Sequence, residues 1–315
     1  MIAHRLYGSI VALRNSLFDH EVLRARRLRW PVVSVGNISV GGSGKTPFVI
    51  MLGELLAQRG ILVDVLSRGY RRSTTGVLQV NPNGFLEEFG DEPLLIARKL
   101  GCPVFVGENR HSAGLEAEDH YPAAAESNHI HLLDDGFQHR QLHRDFDIVL
   151  LNDTDLDDKV LPSGRLREPI TALSRADAVV VNKDFPAENV PRGNFELWRI
   201  ERMLDVPELN VPVIAFCGIA RANRFFSDLR NRRLDVREEI AFRDHHRYSR
   251  GDVEKLLAMQ ERVRGSRLVT TEKDVINLGE HTATLDPVVT RLRVCLTNAQ
   301  AAADYILQKV AERRD

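Results

Sequence analysis

Cysteine is scarce in this chain of 315 residues: Cys102, Cys217 and Cys295 lie far apart, without the spacing of a metal knuckle or a redox pair. They read as buried thiols of a reducing compartment, which excludes a disulfide-stapled secreted fold. An excess of charge of either sign is missing too. The formal net charge is -1, so nothing at the level of the whole chain argues for nucleic acid as a partner. No apolar run is long enough to span a bilayer, and no signal-peptide core is present. Internal repeats and low-complexity tracts are absent. What is there is a 43% hydrophobic, 28% charged sequence, sufficient for a real core and long enough for one large or two ordinary domains.

One stretch organises the rest: Val32-Val33-Ser34-Val35-Gly36-Asn37-Ile38-Ser39-Val40-Gly41-Gly42-Ser43-Gly44-Lys45-Thr46-Pro47. It starts as a β-branched run with the texture of a buried parallel strand. It breaks into glycines, closes on Gly-Lys-Thr, and continues from Phe48 to Ala57 with apolar residues at helical spacing. Strand, glycine loop, Lys-Thr and helix form a phosphate cradle. Glycines let backbone N–H groups approach phosphate oxygens, and the helix N-terminus adds donors and its positive dipole end. Gly41, Gly42, Ser43, Gly44, Lys45 and Thr46 are therefore the expected nucleotide-binding residues, with Lys45 on the outer phosphates and the Thr46 hydroxyl on Mg²⁺. Ser39 stands where the usual loop has its first glycine; the Gly41-Gly42 pair supplies flexibility instead, as in a second class of P-loop ATPases whose signature Lys is Val40 here.

His131-Leu132-Leu133-Asp134-Asp135-Gly136 reads as a strand delivering acids to its C-terminal end, a Walker-B-like element in which Asp134, and Asp135 beside it, can hold the metal. Asp91 and Glu92, ahead of Pro93 at the start of a helical run, read from spacing alone as a cap and first-turn acid. The Asp244-His245 pair reads either as an oriented proton acceptor or as a surface pair. Arg68, Arg71 and Arg72 follow a second strand, where they either contact phosphates or sit solvated. Asn182-Lys183-Asp184 lacks the spacing of a guanine-reading motif, because Phe185 holds the place of its Asp.

The expected fold is α/β: a P-loop NTPase-like, mostly parallel sheet flanked by helices, with a second, smaller α/β domain and an N-terminal amphipathic helix. The expected boundaries are 1–28 for the N-terminal amphipathic and basic segment, 29–190 for the P-loop domain and 191–315 for the smaller domain, whose last helix can pack on either. On a helical projection Ile2, Leu6, Tyr7, Ile10, Val11, Leu13, Leu17 and Phe18 share one broad face, with His4 among the residues opposite. The basic run Arg24 to Arg29 and Trp30 follow, giving the look of an interfacial membrane element, or of a helix packed on its own domain.

Taken in order, Val-Gly-Asn-Ile-Ser-Val-Gly-Gly-Ser-Gly-Lys-Thr-Pro, Gly-Asp-Glu-Pro, Asp-Asp-Gly-Phe-Gln-His, Leu-Arg-Glu-Pro, Asp-His-His and Thr-Thr-Glu-Lys-Asp give the chain a resemblance to the tetraacyldisaccharide 4'-kinase family, the lipid A 4'-kinases of Gram-negative bacteria. Ser163-Gly164-Arg165 departs from that family's usual Ala-Gly-Pro. The resemblance implies transfer of the γ-phosphate of ATP, with Mg²⁺, to the 4'-hydroxyl of an acylated glucosamine disaccharide. It implies that Asp91 activates the hydroxyl, that His245 pairs with that acid, and that Asp134, Asp135 and Glu168 hold or orient the metal. It also implies a lipid substrate met at the anionic cytoplasmic face of the inner membrane, with no obligate protein partner and no nucleic acid. The competing reading is a P-loop ATPase acting on a protein partner at the membrane.

Overall fold

The computed structural model describes residues 2–121 and 128–314, and only the backbone of residues 2–5. The side chains of Ile2 and His4 therefore lie outside the described residues. Twelve strands form one sheet: β1 (Val32–Asn37), β2 (Leu62–Ser67), β3 (Leu78–Gln79), β4 (Val104–Val106), β5 (His129–Asp134), β6 (Phe146–Leu150), β7 (Ala178–Asn182), β8 (Glu196–Asp205), β9 (Val213–Cys217), β10 (Val236–Ala241), β11 (Arg267–Thr271) and β12 (Val288–Leu296). Their order across the sheet is β10-β9-β11-β12-β8-β7-β6-β1-β5-β2-β4-β3. Pairing is parallel except for β12 with β8 and β3 with β4. The helices are α1 (Ile2–Asp19), α2 (Lys45–Gln58), α3 (Leu86–Phe89), α4 (Asp91–Leu100), α5 (Arg110–His120), α6 (Ala222–Asn231), α7 (Arg250–Arg262), α8 (Glu272–Leu278), α9 (Thr282–Leu285) and α10 (Ala299–Glu312).

Central strands such as β1, β5 and β6 are buried along their whole length, because helices cover both faces. On one face Phe48, Leu52 and Leu56 of α2, Leu94 of α4 and Ile306 of α10 close over Val33, Val35, Ile130 and Ile148. On the other, α5 and the segments around Phe137 and Leu173 complete the layer. A smaller core holds Phe216, Leu256 and Leu268 under α7, with Phe225 and Leu229 of α6 on the opposite side.

The two halves of the sheet meet at β12. Val288 to Thr290 pair with β11, and Arg291 to Leu296 turn to β8. β8 itself lies against β7, so the segment after residue 185, which its prolines suggest is a connection, instead contains the ten-residue strand that joins the lobes. Alternation in Trp198, Ile200 and Leu204 carries that strand, all three being buried. α10 returns to the first lobe, and Arg314 ties its end to Asp145 and to the backbone of Arg29 and Trp30.

α1 differs from its expected single broad apolar face. Tyr7 and Val11 turn inward, with the Tyr7 hydroxyl donating to the Arg167 carbonyl at 3.2 Å. Leu6, Ile10 and Leu13 form a separate outward stripe, each close to 60% exposed (61%, 59% and 62%). Trp30 is also corrected: it is buried and stacked on His129 at 3.8 Å between ring centroids, so it does not stand at the surface as an interfacial anchor would.

Candidate active site

Within each half the parallel strands point their C-terminal ends toward the other half, because β8 and β12 are antiparallel, and a cleft of about 1340 Å³ opens between the lobes where those ends face each other. Its floor is the turn between β1 and α2. Gly41 (φ 101°) and Gly44 (φ 86°) take left-handed backbone conformations that only glycine adopts without strain, and Gly44 caps α2 without a side-chain bond. Lys45 opens α2, and its Nζ donates to Asn37 Oδ1 at 2.9 Å and lies 3.4 Å from Asp135 Oδ1. Gly41 to Thr46 all line the cleft.

The acids at the end of β5 sit beside this turn. Asp134 is buried and accepts a hydrogen bond from Ser67 Oγ at 3.0 Å. Burial, with the charges of Glu92 and Asp135, pushes its carboxyl up to about 7. Asp135 takes a left-handed backbone (φ 52°) and receives Arg167 Nη1 on both oxygens, at 3.0 and 2.8 Å. Burial acts to raise this carboxyl as well, but Lys45 and Arg167 prevail and hold it down at about 2. Adjacent residues of one chemistry are thus driven apart by their neighbours. Arg167 carries no assigned role in the sequence reading, and its grip on both oxygens of Asp135 has no local sequence signal beyond the Leu-Arg-Glu-Pro run.

Glu168, expected as a third metal-holding acid, is a correction. It is fully buried, pairs with Arg175 at 2.9 Å, accepts from Asn15 Nδ2 at 2.6 Å, and does not line the cleft. Both contacts fall on Oε2 and tie α1 to the body of the first lobe, while Oε1 is buried without a hydrogen-bond partner among the described residues.

The facing wall comes from the second lobe. His245 has a left-handed backbone (φ 57°), its amide donates to the Gly218 carbonyl at 3.0 Å, and its Nδ1 lies 2.6 Å from Asp91 Oδ2. Asp91 begins α4 behind Gly90, whose φ of 87° and 2.8 Å approach to the Tyr70 carbonyl at the Cβ position leave no room for a side chain. Gly90 caps α4 without a side-chain bond, so Asp91 is a first-turn acid rather than the cap; its Oδ1 takes the Glu92 amide at 2.9 Å and its Oδ2 faces the ring. Burial acts to raise the Asp91 carboxyl, yet the His245 hydrogen bond and the Lys273 charge outweigh it and hold the group at about 2. Asp91 is only 3% exposed and lies behind His245; His245, Lys273, Glu92 and Asp244 are what the cleft meets.

The arginines after β2 divide. Arg71 donates to the Asp244 and His245 carbonyls at 3.2 Å each, and Arg72 turns to the Val106 carbonyl at 3.4 Å, while Arg68 lines the cleft. A smaller hollow of about 290 Å³ adjoins the loop at Ser43, bounded by Asn152, Asn182, Asp184, Arg202 and Arg224. Among the described residues no group of three or more His, Cys, Asp or Glu side chains is gathered tightly enough to hold a metal unaided.

Comparison with known proteins covers the whole chain. Residues 1–311 match the family model described as tetraacyldisaccharide-1-P 4'-kinase. A protein of Koribacter versatilis named tetraacyldisaccharide 4'-kinase is 49% identical over 98% of both chains. One of the same name from Aquifex aeolicus is 40% identical over 87% of each. The crystal structure of LpxK from Aquifex aeolicus in complex with ATP superposes with a TM-score of 0.78 at 35% identity, covering 97% of this chain and 96% of that one.

Proposed function

The chain belongs to the tetraacyldisaccharide-1-P 4'-kinase family, and from that membership we propose how its own residues perform the reaction. The enzyme is an ATP-dependent lipid A 4'-kinase, moving a phosphoryl group to the 4'-hydroxyl of an acylated disaccharide 1-phosphate. The observation that carries the residue assignment is a single cleft lined by both the Gly41–Thr46 turn and His245, with Asp91 hydrogen-bonded behind the ring.

Backbone N–H groups of that turn and the first turn of α2 cradle the triphosphate, and Lys45 leaves Asn37 and Asp135 to meet its outer oxygens. The hydroxyl of Thr46 with the carboxylates of Asp134 and Asp135 is a set of hard oxygen donors that would hold Mg²⁺ beside the phosphate turn, and the ion would supply charge neutralisation on the phosphates. The acceptor oxygen forms its bond to the γ-phosphorus while the bond to the ADP oxygen breaks with its electron pair. The hydroxyl proton passes to Nε2 of His245, and Asp91, hydrogen-bonded to Nδ1, balances the imidazolium that results. Asp91 thus activates the hydroxyl through the ring.

The lipid acceptor stays at a bilayer surface, which gives the outward stripe of α1 a use. Leu6, Ile10 and Leu13 enter the interface while Arg24, Arg26 and Arg27, all exposed, face anionic headgroups on the cytoplasmic side. This proposed contact is peripheral, made by one face of α1; among the described residues no helix is long and apolar enough to cross a membrane. The test is radiolabelled ATP with the acylated disaccharide 1-phosphate in vesicles. Label in the lipid, lost in His245→Ala and Asp91→Ala, is the expected result; label released only as free phosphate would mean that water is the acceptor.

A further inference from the structure

Lys273 has no role in the reaction described so far, yet it contacts both partners of the proton-accepting pair. Its Nζ lies 3.3 Å from His245 Nε2 and 3.5 Å from Asp91 Oδ2. It also lies 3.5 Å from Asp244 Oδ1 and 3.7 Å from Glu92 Oε1. Its side chain is 17% exposed and faces the cleft.

The position is built from the backbone up. Thr271 caps α8, accepting the Asp274 amide at 3.2 Å, and so fixes the first turn that carries Lys273. Asp274 in turn accepts the Gly218 amide at 2.7 Å and the Tyr248 hydroxyl at 2.8 Å, which binds α8 to the turn after β9 that holds the His245 amide and to the far end of the loop bearing His245. Asn277, one turn on, donates to the Lys273 carbonyl at 3.0 Å.

Chemistry then limits the proton. An ammonium offers only donors, so the ring nitrogen that faces it is the one with a free lone pair. The ring proton of His245 must sit on Nδ1, donated to Asp91. We propose that Lys273 is a positioning residue of the transfer reaction: its ammonium, set against Nε2 while Asp91 takes Nδ1, keeps the ring proton on Nδ1 and the Nε2 lone pair directed at the cleft. At 3.3 Å the lysine contact is long, which leaves the lone pair open to a competing hydroxyl.

The groups around the ring show why a cation is needed. From α4 come Asp91 and Glu92, from the ring's own loop Asp244, whose Oδ2 is 3.7 Å from Nε2. From the turn after β2 come Tyr70, edge-on to the ring at 5.3 Å, and Arg71, whose guanidinium is occupied by the Asp244 and His245 carbonyls. α8 brings Lys273, with Glu272 directed to Lys99. Without Lys273 two carboxylates, Asp91 at Nδ1 and Asp244 beside Nε2, would face the imidazole with no ammonium against Nε2, which favours a second proton.

This inference rests on the proposed role of His245 as proton acceptor, and its test separates the two. In Lys273→Met the acidic limb of the kcat/KM profile for lipid phosphorylation is expected to move up by about one pH unit. Activity near neutrality falls by roughly threefold and by up to about tenfold at lower pH, and returns at alkaline pH; ATP affinity changes less than about twofold, and Lys273→Arg restores the limb. Loss by the same factor at every pH would assign a merely structural role and overturn the proposal. A large loss of ATP affinity with the limb unmoved would make Lys273 a phosphate ligand and overturn it too. Proton NMR of the His245 ring in the nucleotide-free protein gives a readout independent of catalysis: its titration midpoint is expected at higher pH in Lys273→Met than in the parent. If His245→Ala stays active while that difference is seen, the base assignment fails and the lysine–imidazole coupling stands; if the midpoint does not move, the coupling itself fails.

Discussion

At the scale of single residues, environment decides what each acid and base does. Asp134 and Asp135 are neighbours in sequence, but one is driven up by burial and like charge and the other held down by Lys45 and Arg167. Asp91 is buried against an imidazole and a lysine, and the role proposed for it in the reaction comes from what it holds. Asp91→Ala and His245→Ala are each expected to lower turnover by roughly 10²–10⁴-fold, the usual worth of a positioned proton acceptor, with ATP binding nearly unchanged. Rapid-quench measurement of lipid phosphorylation beside an equilibrium ATP-binding assay checks both halves; near-normal turnover in either variant refutes that residue's part. Arg167→Ala tests the pair beneath the phosphate turn. Asp135 then loses the Nη1 group shared between its two oxygens, and a turnover drop of about tenfold or more is expected with the fold intact by circular dichroism. Spacing in the sequence points to Lys45, Thr46, Asp134 and Asp135, because a phosphate turn and a strand end have local signatures. It cannot distinguish Glu168 from them, because what commits Glu168 is Arg175 and Asn15, brought in from a 3₁₀ segment and from α1.

At the scale of elements, α1 has two apolar stripes with different uses. The inner one is satisfied by Val11 and the Tyr7–Arg167 contact, and the outer one, Leu6, Ile10 and Leu13, has no protein cover. Changing these three to serine is expected to weaken flotation with anionic vesicles by tenfold or more, on the order of 25 cal/mol per Å² removed from the interface. Thermal stability should not fall, since exposed side chains hold no core together. Vesicle binding equal to the parent's would remove the membrane role from this helix. The other element-scale device is buried at the opposite end of the sheet, between β2 and β5. Asp64 accepts from His129 at 2.8 Å and from His131 Nδ1 at 2.8 Å, and His131 Nε2 faces Glu118 at 3.5 Å. Burial opposes a charge on His131, but Asp64 and then Glu118 outweigh it and raise the group from 6.5 to about 9. A raised histidine contributes stability that is fully present below its unfolded value and lost as pH climbs through the folded one. Unfolding free energy is therefore expected to fall by on the order of 2 kcal/mol between pH 6.5 and 9, and His131→Asn should flatten that slope. A variant with the parent's slope would place the titrating group elsewhere. Period-2 and period-3.6 patterns identify most of these elements in the sequence. The alternation in β8 and β12 is equally regular, with Trp198, Ile200 and Leu204, and Thr290, Val294 and Leu296, turned inward. Prolines flanking β8 and charged outward positions in both strands mask it, which is why a connection is expected where the sheet continues.

At the scale of the whole molecule, the expected division near residue 190 meets a sheet that does not stop there. β8 lies against β7 of the first lobe and against β12, and β12 pairs with β11 of the second. The chain leaves the first lobe through β8, builds the second, and comes back through β12 to place α10 on α2 and β6. A strand shared end to end between two cores means that neither core can lose it without exposing apolar surface of the other. The two tryptophans, Trp30 under α5 and Trp198 on β8, both report from the first lobe. Ile306→Ala removes a fully buried side chain of α10 from the first core and Leu256→Ala one of α7 from the second. Each is expected to cost about 2–5 kcal/mol. If the shared strands couple the lobes, both variants shift one urea transition that tryptophan fluorescence and far-ultraviolet circular dichroism report at the same midpoint. The second-lobe variant is the decisive one, because its lesion is remote from either fluorophore. An earlier dichroism transition in Leu256→Ala, with the tryptophan signal still at the parent's midpoint, would show that β12 lets the second lobe unfold alone, and the lobe bearing His245 and Lys273 would then be free to open independently of the phosphate turn.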